Sequence, residues 1–424
     1  MKSSLGRAFA IVAALATNFH TPVQALPLEG RQTQAAGYLA AAFLGNVPSV
    51  FFHLASPQSP STFSRLNGGQ PSLVPTKGTK GARDPFILFS QDKSKLWVLA
   101  TDLDIGKTNW NAAQTNGSRS IFVWESADGV NWSQDRLVEL MPPTAGYVWA
   151  PSAIWDVDRD AYAVFWSSRT YQANDPAHLG PSQGPFIFYS HTSDFVTFTT
   201  PARWEPDVTT TYIDQEIQYL GGETYIRYIS DTANLRIVLD RSDTGLFGQW
   251  NRVGRPVDKT REGAAAYRDI LNPNRYYLWE DNYTGGADAG YECYYTETFT
   301  VPYTPCDPAL TPKGMRHGGV VQIESGMYEA LRRNFVQALS NPLYLNHLAA
   351  QKWFDSPEFV AYLKYLQYFK DPKYIKYLSY PGPTLKALEL LQQDQFRKDI
   401  LIPETVNRMY EEGLAASEAP PRQV

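Results

Sequence analysis

Arg316-His317-Gly318-Gly319-Val320-Val321-Gln322-Ile323-Glu324-Ser325-Gly326-Met327 separates two kinds of sequence. Upstream, short apolar runs rich in Phe, Tyr, Trp, Val and Ile alternate with clusters of Gly, Pro, Asn and Asp. Downstream, apolar residues recur at helical spacing with almost no glycine. Ten of the eleven tryptophans, both cysteines and all three Asn-x-Ser/Thr triplets, at Asn116, Asn131 and Asn282, precede this stretch. A β-rich domain and a helical domain are expected to meet within it.

Moving outward on the upstream side, strands are predicted at 85–89, 95–101, 120–125, 161–167, 186–189, 223–229, 235–239, 275–279 and 291–296, with no helix between them. Even spacing of short strands favours a sandwich, barrel or propeller over strand-helix alternation. Ser126-Ala127-Asp128-Gly129-Val130-Asn131-Trp132 is echoed by Ser193-Asp194-Phe195-Val196-Thr197-Phe198 and by Ser242-Asp243 leading to Trp250. A recurrence of roughly 50 to 65 residues is close to one propeller blade, which selects the propeller.

Three carboxylates stand where their neighbours suggest chemistry. Asp84 precedes Pro85 at the mouth of an apolar strand, which also fits a plain turn aspartate. Asp214 interrupts the run Tyr212-Ile213-Asp214-Gln215-Glu216-Ile217, where a solvated strand-end charge is the simpler reading. Glu262 is followed by Gly263, which allows close approach of a backbone or a sugar. Taken together, Arg83-Asp84-Pro85, Trp149-Ala150-Pro151, Tyr212-Ile213-Asp214, Arg261-Glu262-Gly263 and Arg316-His317-Gly318 resemble the landmarks of glycoside hydrolase family 43.

That resemblance implies a five-bladed β-propeller acting with inversion on arabinose- and xylose-containing polysaccharides. It also implies Asp84 as general base, Glu262 as general acid, and Asp214 as the group that orients the acid and raises its pKa. Inversion needs acid and base on opposite faces of the sugar, about 6.5 to 9.5 Å apart. Trp149 and His317 are candidate substrate contacts, although Trp149 equally suits packing between blades. His317 could help hold an axial metal ion, but one ligand does not make a site, and no cofactor or metal is expected. Two positions depart from the family pattern: Ser152 where an acid is common, and Ala264 where a proline is common.

On the downstream side, Asn341-Pro342, Ser356-Pro357 and Asp371-Pro372 each place a capping residue before a proline at the first helical position. Leu331, Phe335 and Leu339 share one face of a first helix, and Phe359, Tyr362, Leu363 and Leu366 one face of a later one. Thr384 is read as the cap of a last long helix through Leu388, Leu391 and Phe396. No catalytic constellation is present. Tyr362, Tyr365, Tyr368, Tyr374 and Tyr377 offer an aromatic surface suited to an extended peptide, some of them being required for the core.

The runs Asn334 to Leu345, Phe359 to Phe369 and Asp371 to Tyr374 resemble the Mediator subunit 31 (Soh1) family of RNA polymerase II transcription. The resemblance implies a nuclear scaffold of the Mediator middle module that holds an extended segment of Mediator subunit 7 and does not touch DNA itself.

The remaining features bound the possibilities. A formal charge of -5 gives no basic field for nucleic acid, and no run after the N-terminus has the length of a membrane span. Lys2 and Arg7, the apolar run 8–16 and Val23-Gln24-Ala25 read as a secretory signal cleaved after Ala25. Cys293 and Cys306 allow one disulfide without requiring it.

The expected organisation is multi-domain: a signal peptide over 1–25, an all-β five-bladed propeller over 26–325, a small all-α helical bundle over 326–410 and a disordered tail over 411–424. The two halves point to conflicting addresses, secreted and nuclear. Two joined proteins, each keeping its function, account for this; the alternative is one functional half, most simply a secreted arabinofuranosidase- or xylosidase-type hydrolase with a misjoined C-terminus.

Overall fold

The aromatic and β-branched runs upstream of residue 325 pair as antiparallel ladders whose apolar faces are buried on both sides. The computed structural model describes residues 35–45, 47–205, 209–286, 290–310, 314–375, 378 and 381–418, with backbone alone for 68, 333–335, 337, 358 and 413–418. The segment read as a signal peptide, 1–25, and Tyr377 lie outside the described residues.

Among the described residues, twenty strands build five four-stranded sheets. β1 (Ala35–Leu44), β2 (Val47–Ala55) and β3 (Ser64–Arg65) belong to the first blade. β4 (Ala82–Phe89), β5 (Leu96–Asp102), β6 (Ser120–Ser126) and β7 (Arg136–Glu139) form the second. β8 (Trp149–Asp156), β9 (Ala161–Thr170), β10 (Gln183–Thr192) and β11 (Ala202–Arg203) form the third. β12 (Tyr212–Gly221), β13 (Thr224–Asp231), β14 (Arg236–Ser242) and β15 (Trp250–Gly254) form the fourth. β16 (Glu262–Arg268), β17 (Tyr276–Asp281), β18 (Tyr291–Thr296) and β19 (Thr304–Pro305) form the fifth.

The last strand, β20 (Met315–Glu324), returns to pair with β1 and becomes the innermost strand of the first blade. The opening stretch of sequence is therefore the closure of the ring. β20, β4, β8, β12 and β16 neighbour one another in turn around the axis. Between successive blades lie five apolar layers, such as Leu88, Trp97, Val123, Val148, Val164 and Trp166 between the second and third.

The first two members of the sequence echo mark a recurrent turn at the outer edge, which Thr296 repeats, whereas Ser242 Oγ instead donates to the Gly245 carbonyl. Ser126 Oγ, Thr192 Oγ1 and Thr296 Oγ1 each accept from the backbone N–H three residues on at 2.9 Å. Asp128 and Asp194 carboxylates each take two further N–H groups. Cys293 on β18 and Cys306 beyond β19 form a disulfide with Cα atoms 5.2 Å apart.

Three expectations about helices are corrected. α1 (Trp110–Thr115), capped by Asn109, sits between β5 and β6 where no helix was anticipated; at six residues it is too short to show a period. In the helical domain, α2 (Ser325–Ala338), α3 (Pro342–Ala350), α4 (Pro357–Tyr365) and α5 (Pro372–Ile375) precede α6 (Pro381–Leu390), α7 (Asp394–Asp399) and α8 (Pro403–Glu418). Asn341 and Ser356 accept N–H groups of α3 and α4, as their position before proline predicts. Thr384, however, is buried inside α6, and Phe396 belongs to the separate α7. The stretch 411–418, anticipated as a disordered tail, continues α8. Among the described residues no helix is long and apolar enough to cross a membrane.

Candidate functional site

Each innermost strand breaks its ladder at the same level. In β4 the pairing jumps from Arg83 to Phe86, in β8 from Trp149 to Ser152, in β12 from Ile213 to Glu216 and in β16 from Glu262 to Ala265. Two residues there oppose one on the neighbouring strand, the pattern of a β-bulge. The first extra residue has left-handed backbone in all four: Asp84 (φ 49), Ala150 (φ 50), Asp214 (φ 54) and Gly263 (φ 59). In β20 the irregularity falls at His317, between Arg316 and Gly318.

The five landmark tripeptides are thus equivalent positions on five blades. Asp84, Ala150, Asp214, Gly263 and His317 make one ring of bulge residues. Arg83, Trp149, Ile213, Glu262 and Arg316 make the ring preceding it. The bulge re-aims side chains toward the axis, at a backbone cost that aspartate bears better than most residues.

His317 Nδ1 lies 3.2 Å from Asp84 Oδ1 and 4.0 Å from Asp214 Oδ2. Asp84 Oδ2 also accepts from Thr101 Oγ1 at 2.9 Å, and that hydroxyl accepts from the Ala150 N–H at 2.8 Å. Arg316 Nη2 is 3.7 Å from Glu262 Oε1, while its Nε donates to both oxygens of the fully buried Asp281, at 3.2 and 3.1 Å. Tyr291 hydroxyl donates to the Gly318 carbonyl and accepts from the Gly318 N–H, which fixes the backbone beside His317. A Cβ added at Gly263 would stand 2.7 Å from His317 Cγ, so glycine meets both the backbone and the space requirement there.

The charges divide the carboxyls. Burial works to raise Asp84, but His317, Arg83 and the Thr101 hydrogen bond outweigh it and hold it down at about 2. Glu262 is pushed up to about 8 by burial and then by Asp214 and Asp281, against the pull of His317 and Arg316. Asp214 rises to about 6, chiefly through burial with Asp84 and Asp281 adding to it and His317 opposing. Burial lowers His317, but Asp214, Asp84 and Asp281 reverse this and carry it to about 9. At neutral pH the site therefore holds an ionised Asp84 against an imidazolium, and a protonated Glu262. One group can take a proton and another can give one.

Trp149 stacks on Tyr147, with ring centroids 4.1 Å apart, and meets Trp110 edge-on at 6.0 Å. Trp110, Thr101 and Asp281 were not singled out from sequence. Asp281 ends the aromatic strand Tyr276–Asp281 with a second acid, the one signal that could have drawn attention to it. Ala264 is buried among Ile226, Tyr228 and Leu278, and Ser152 is buried opposite Phe165, so both departures from the family pattern occupy packing positions. Among the described residues, no three of His, Cys, Asp or Glu are arranged to hold a metal ion.

On the helical domain, Tyr362, Tyr368 and Tyr374 pack partly against the core, and Tyr365 is 59 % exposed. Tyr368 meets Tyr365 at 5.2 Å and Tyr374 at 5.0 Å, while the Arg332 guanidinium lies over Tyr362 (5.9 Å) and Tyr365 (5.7 Å). These side chains form one patch. A separate groove of about 640 Å³ is bounded by Phe354, Pro357, Val360, Lys364 and Arg397 and includes none of the tyrosines.

Comparison with known proteins divides the chain between 329 and 330, within α2. Residues 33–329 match a family described as a probable glycosyl hydrolase domain, and residues 330–419 match the family described as SOH1. Mediator of RNA polymerase II transcription subunit 31 of Phaeosphaeria nodorum is 60% identical over 97 residues, 23% of this chain and 79% of that protein. Its counterpart in Neurospora crassa is 53% identical over 112 residues, 26% of this chain and 79% of that protein. An α-L-arabinofuranosidase of Bifidobacterium longum is 37% identical over 177 residues, 39% of this chain; the chain spans only 16% of that protein's length. Among solved structures, a family 43 β-1,3-galactosidase aligns with TM-score 0.46 and 11% identity over 70% of this chain and 59% of that one. The catalytic domain of a family 62 α-L-arabinofuranosidase of Coprinopsis cinerea aligns with TM-score 0.41 and 13% identity over 56% and 72%.

Proposed function

Since the chain belongs to the family of probable glycosyl hydrolase domains through residues 33–329 and to the Mediator subunit 31 family through residues 330–419, we propose two activities on one polypeptide. The propeller hydrolyses pentosidic bonds of arabinose- or xylose-containing polysaccharide with inversion. Glu262 protonates the leaving oxygen, Asp84 takes a proton from the attacking water, and Asp214 keeps Glu262 protonated by like-charge repulsion. The observation that carries this reading is the geometry: matching bulges on β4, β12 and β16 bring Asp84, Asp214 and Glu262 to one axis, with His317 3.2 Å from Asp84 and Arg316 3.7 Å from Glu262.

The helical domain is a non-enzymatic Mediator component. Its tyrosine patch is the proposed seat for an extended segment of Mediator subunit 7, with aromatic faces and the Arg332 guanidinium supplying contact area and orientation. The proposed addresses are export for the propeller and the nucleus for the helical domain.

Reducing pentose released by the full-length protein tests the hydrolase. D84N and E262Q should each lower turnover of polysaccharide by about 10² or more. An aryl pentoside with a good leaving group should rescue E262Q far more than D84N, since such a leaving group needs no proton. Turnover equal to wild type in both variants would remove the assignment.

A further inference from the structure

We propose that Trp110 is a platform for a sugar unit of the polymer next to the one held over the carboxylates, and so sets a preference for polymer over small glycosides. The inference rests on the hydrolase reading above. α1 is an insertion between β5 and β6 that does little for the core: Ala113 is its one buried residue. Its first residue, Trp110, is 51% exposed, a large apolar face turned to solvent. Single exposed apolar residues are ordinary on protein surfaces, so exposure alone decides nothing.

What distinguishes Trp110 is how it is held and where. Its ring stands edge-on to Trp149, interplanar angle 77°, and Trp149 is stacked on the buried Tyr147. The Arg83 guanidinium, fixed over Phe43 at 4.3 Å, also lies 5.7 Å from the Trp110 ring. Arg83 and Trp149 belong to the ring of residues that includes Glu262 and Arg316, and each immediately precedes a bulge residue, Asp84 or Ala150. A continuous aromatic and cationic wall thus runs from the carboxylate level to an exposed indole.

A pyranose or furanose ring presents one face of C–H groups with little polarity. Such a face packs on an indole held at a fixed angle, and the supporting stack removes the cost of ordering the side chain. A substrate that spans only the central position does not extend to the rim and gains nothing from Trp110. A polymer with a neighbouring sugar does.

Affinity electrophoresis of the full-length protein through gels containing arabinan or arabinoxylan reads this contact without requiring turnover. Wild type and D84N should both be retarded, and W110A should migrate as in a polymer-free gel, with W110F intermediate. In parallel, the ratio of polymer to aryl-pentoside kcat/KM should fall about tenfold in W110A, mainly through KM. Near-UV circular dichroism and thermal midpoint establish that W110A is folded.

Retardation of W110A equal to wild type, or no retardation of wild type on either polymer, overturns the proposal. A kcat/KM loss of the same size on both substrates also overturns it, because Trp110 would then merely support Trp149. Retardation lost in W110A while neither substrate is cleaved by wild type would keep the platform and remove the hydrolase reading.

Discussion

At the level of single residues, the site works by difference. Four acids and three cationic groups meet at the site, and position decides which acid keeps its proton. Under the proposed mechanism turnover requires protonated Glu262, so activity is expected to fall as pH rises through about 8. It also requires ionised Asp84, so the acidic limb lies far lower, toward about 2. Asp214 is among the groups that push Glu262 upward; D214N should therefore move the alkaline limb to lower pH, which a pH profile of kcat/KM on a pentose oligosaccharide, whose leaving sugar needs the proton, measures. H317A should move the acidic limb upward, because the imidazolium is the largest influence holding Asp84 down. An unmoved alkaline limb in D214N would leave Asp214 without its proposed role.

At the level of elements, the unit of design is the bulge. Repeating it on β4, β8, β12 and β16 lets strands with regular ladders outside the bulge aim different side chains at one point. G263A places a Cβ at positive φ against His317, and should cost roughly 1–2 kcal/mol in stability from the backbone alone. Displacement of neighbouring Glu262 should lower kcat by about 10². Denaturant midpoint and turnover check the two effects separately. The tripeptides around Asp84, Asp214, Glu262 and His317 could be picked out in sequence only as a set, through a resemblance, since each acid alone also suits a plain structural role. That they occupy equivalent positions was not legible, since equivalence is a property of strand register. Thr101, Asp281 and Trp110 were hidden for a related reason: each reaches the site from a second strand or an inserted turn, and only cross-strand pairing brings it there. The proline-led starts of α3 and α4 were readable because a cap and its proline are adjacent, whereas the Pro403 that opens α8 follows Ile402, which offers no capping side chain.

At the level of the whole molecule, α2 belongs to two cores. Met327 and Leu331 are buried with Leu39, Phe52, Val98 and Phe122 of the first two blades, and the Tyr328 ring packs directly over Gly37. Val336, and Leu339 just past the end of α2, are buried with Leu345, Leu363 and Leu388 of the helical domain. Two domains joined this way should lose structure together. The double variant M327A/L331A should destabilise the full-length protein by several kcal/mol. Hydrogen exchange should then rise in β1 and β2 as well as in the helices. Exchange rising in the helices alone would mean that the blades stand independently. The bridge between Cys293 and Cys306 adds a different kind of information. Thiols made and kept in the cytosol and nucleus stay reduced, while those that cross an oxidising compartment are joined there. Differential alkylation of this one pair, on chains recovered from medium and from nuclei, would therefore read the route each molecule has travelled rather than the place where it was found.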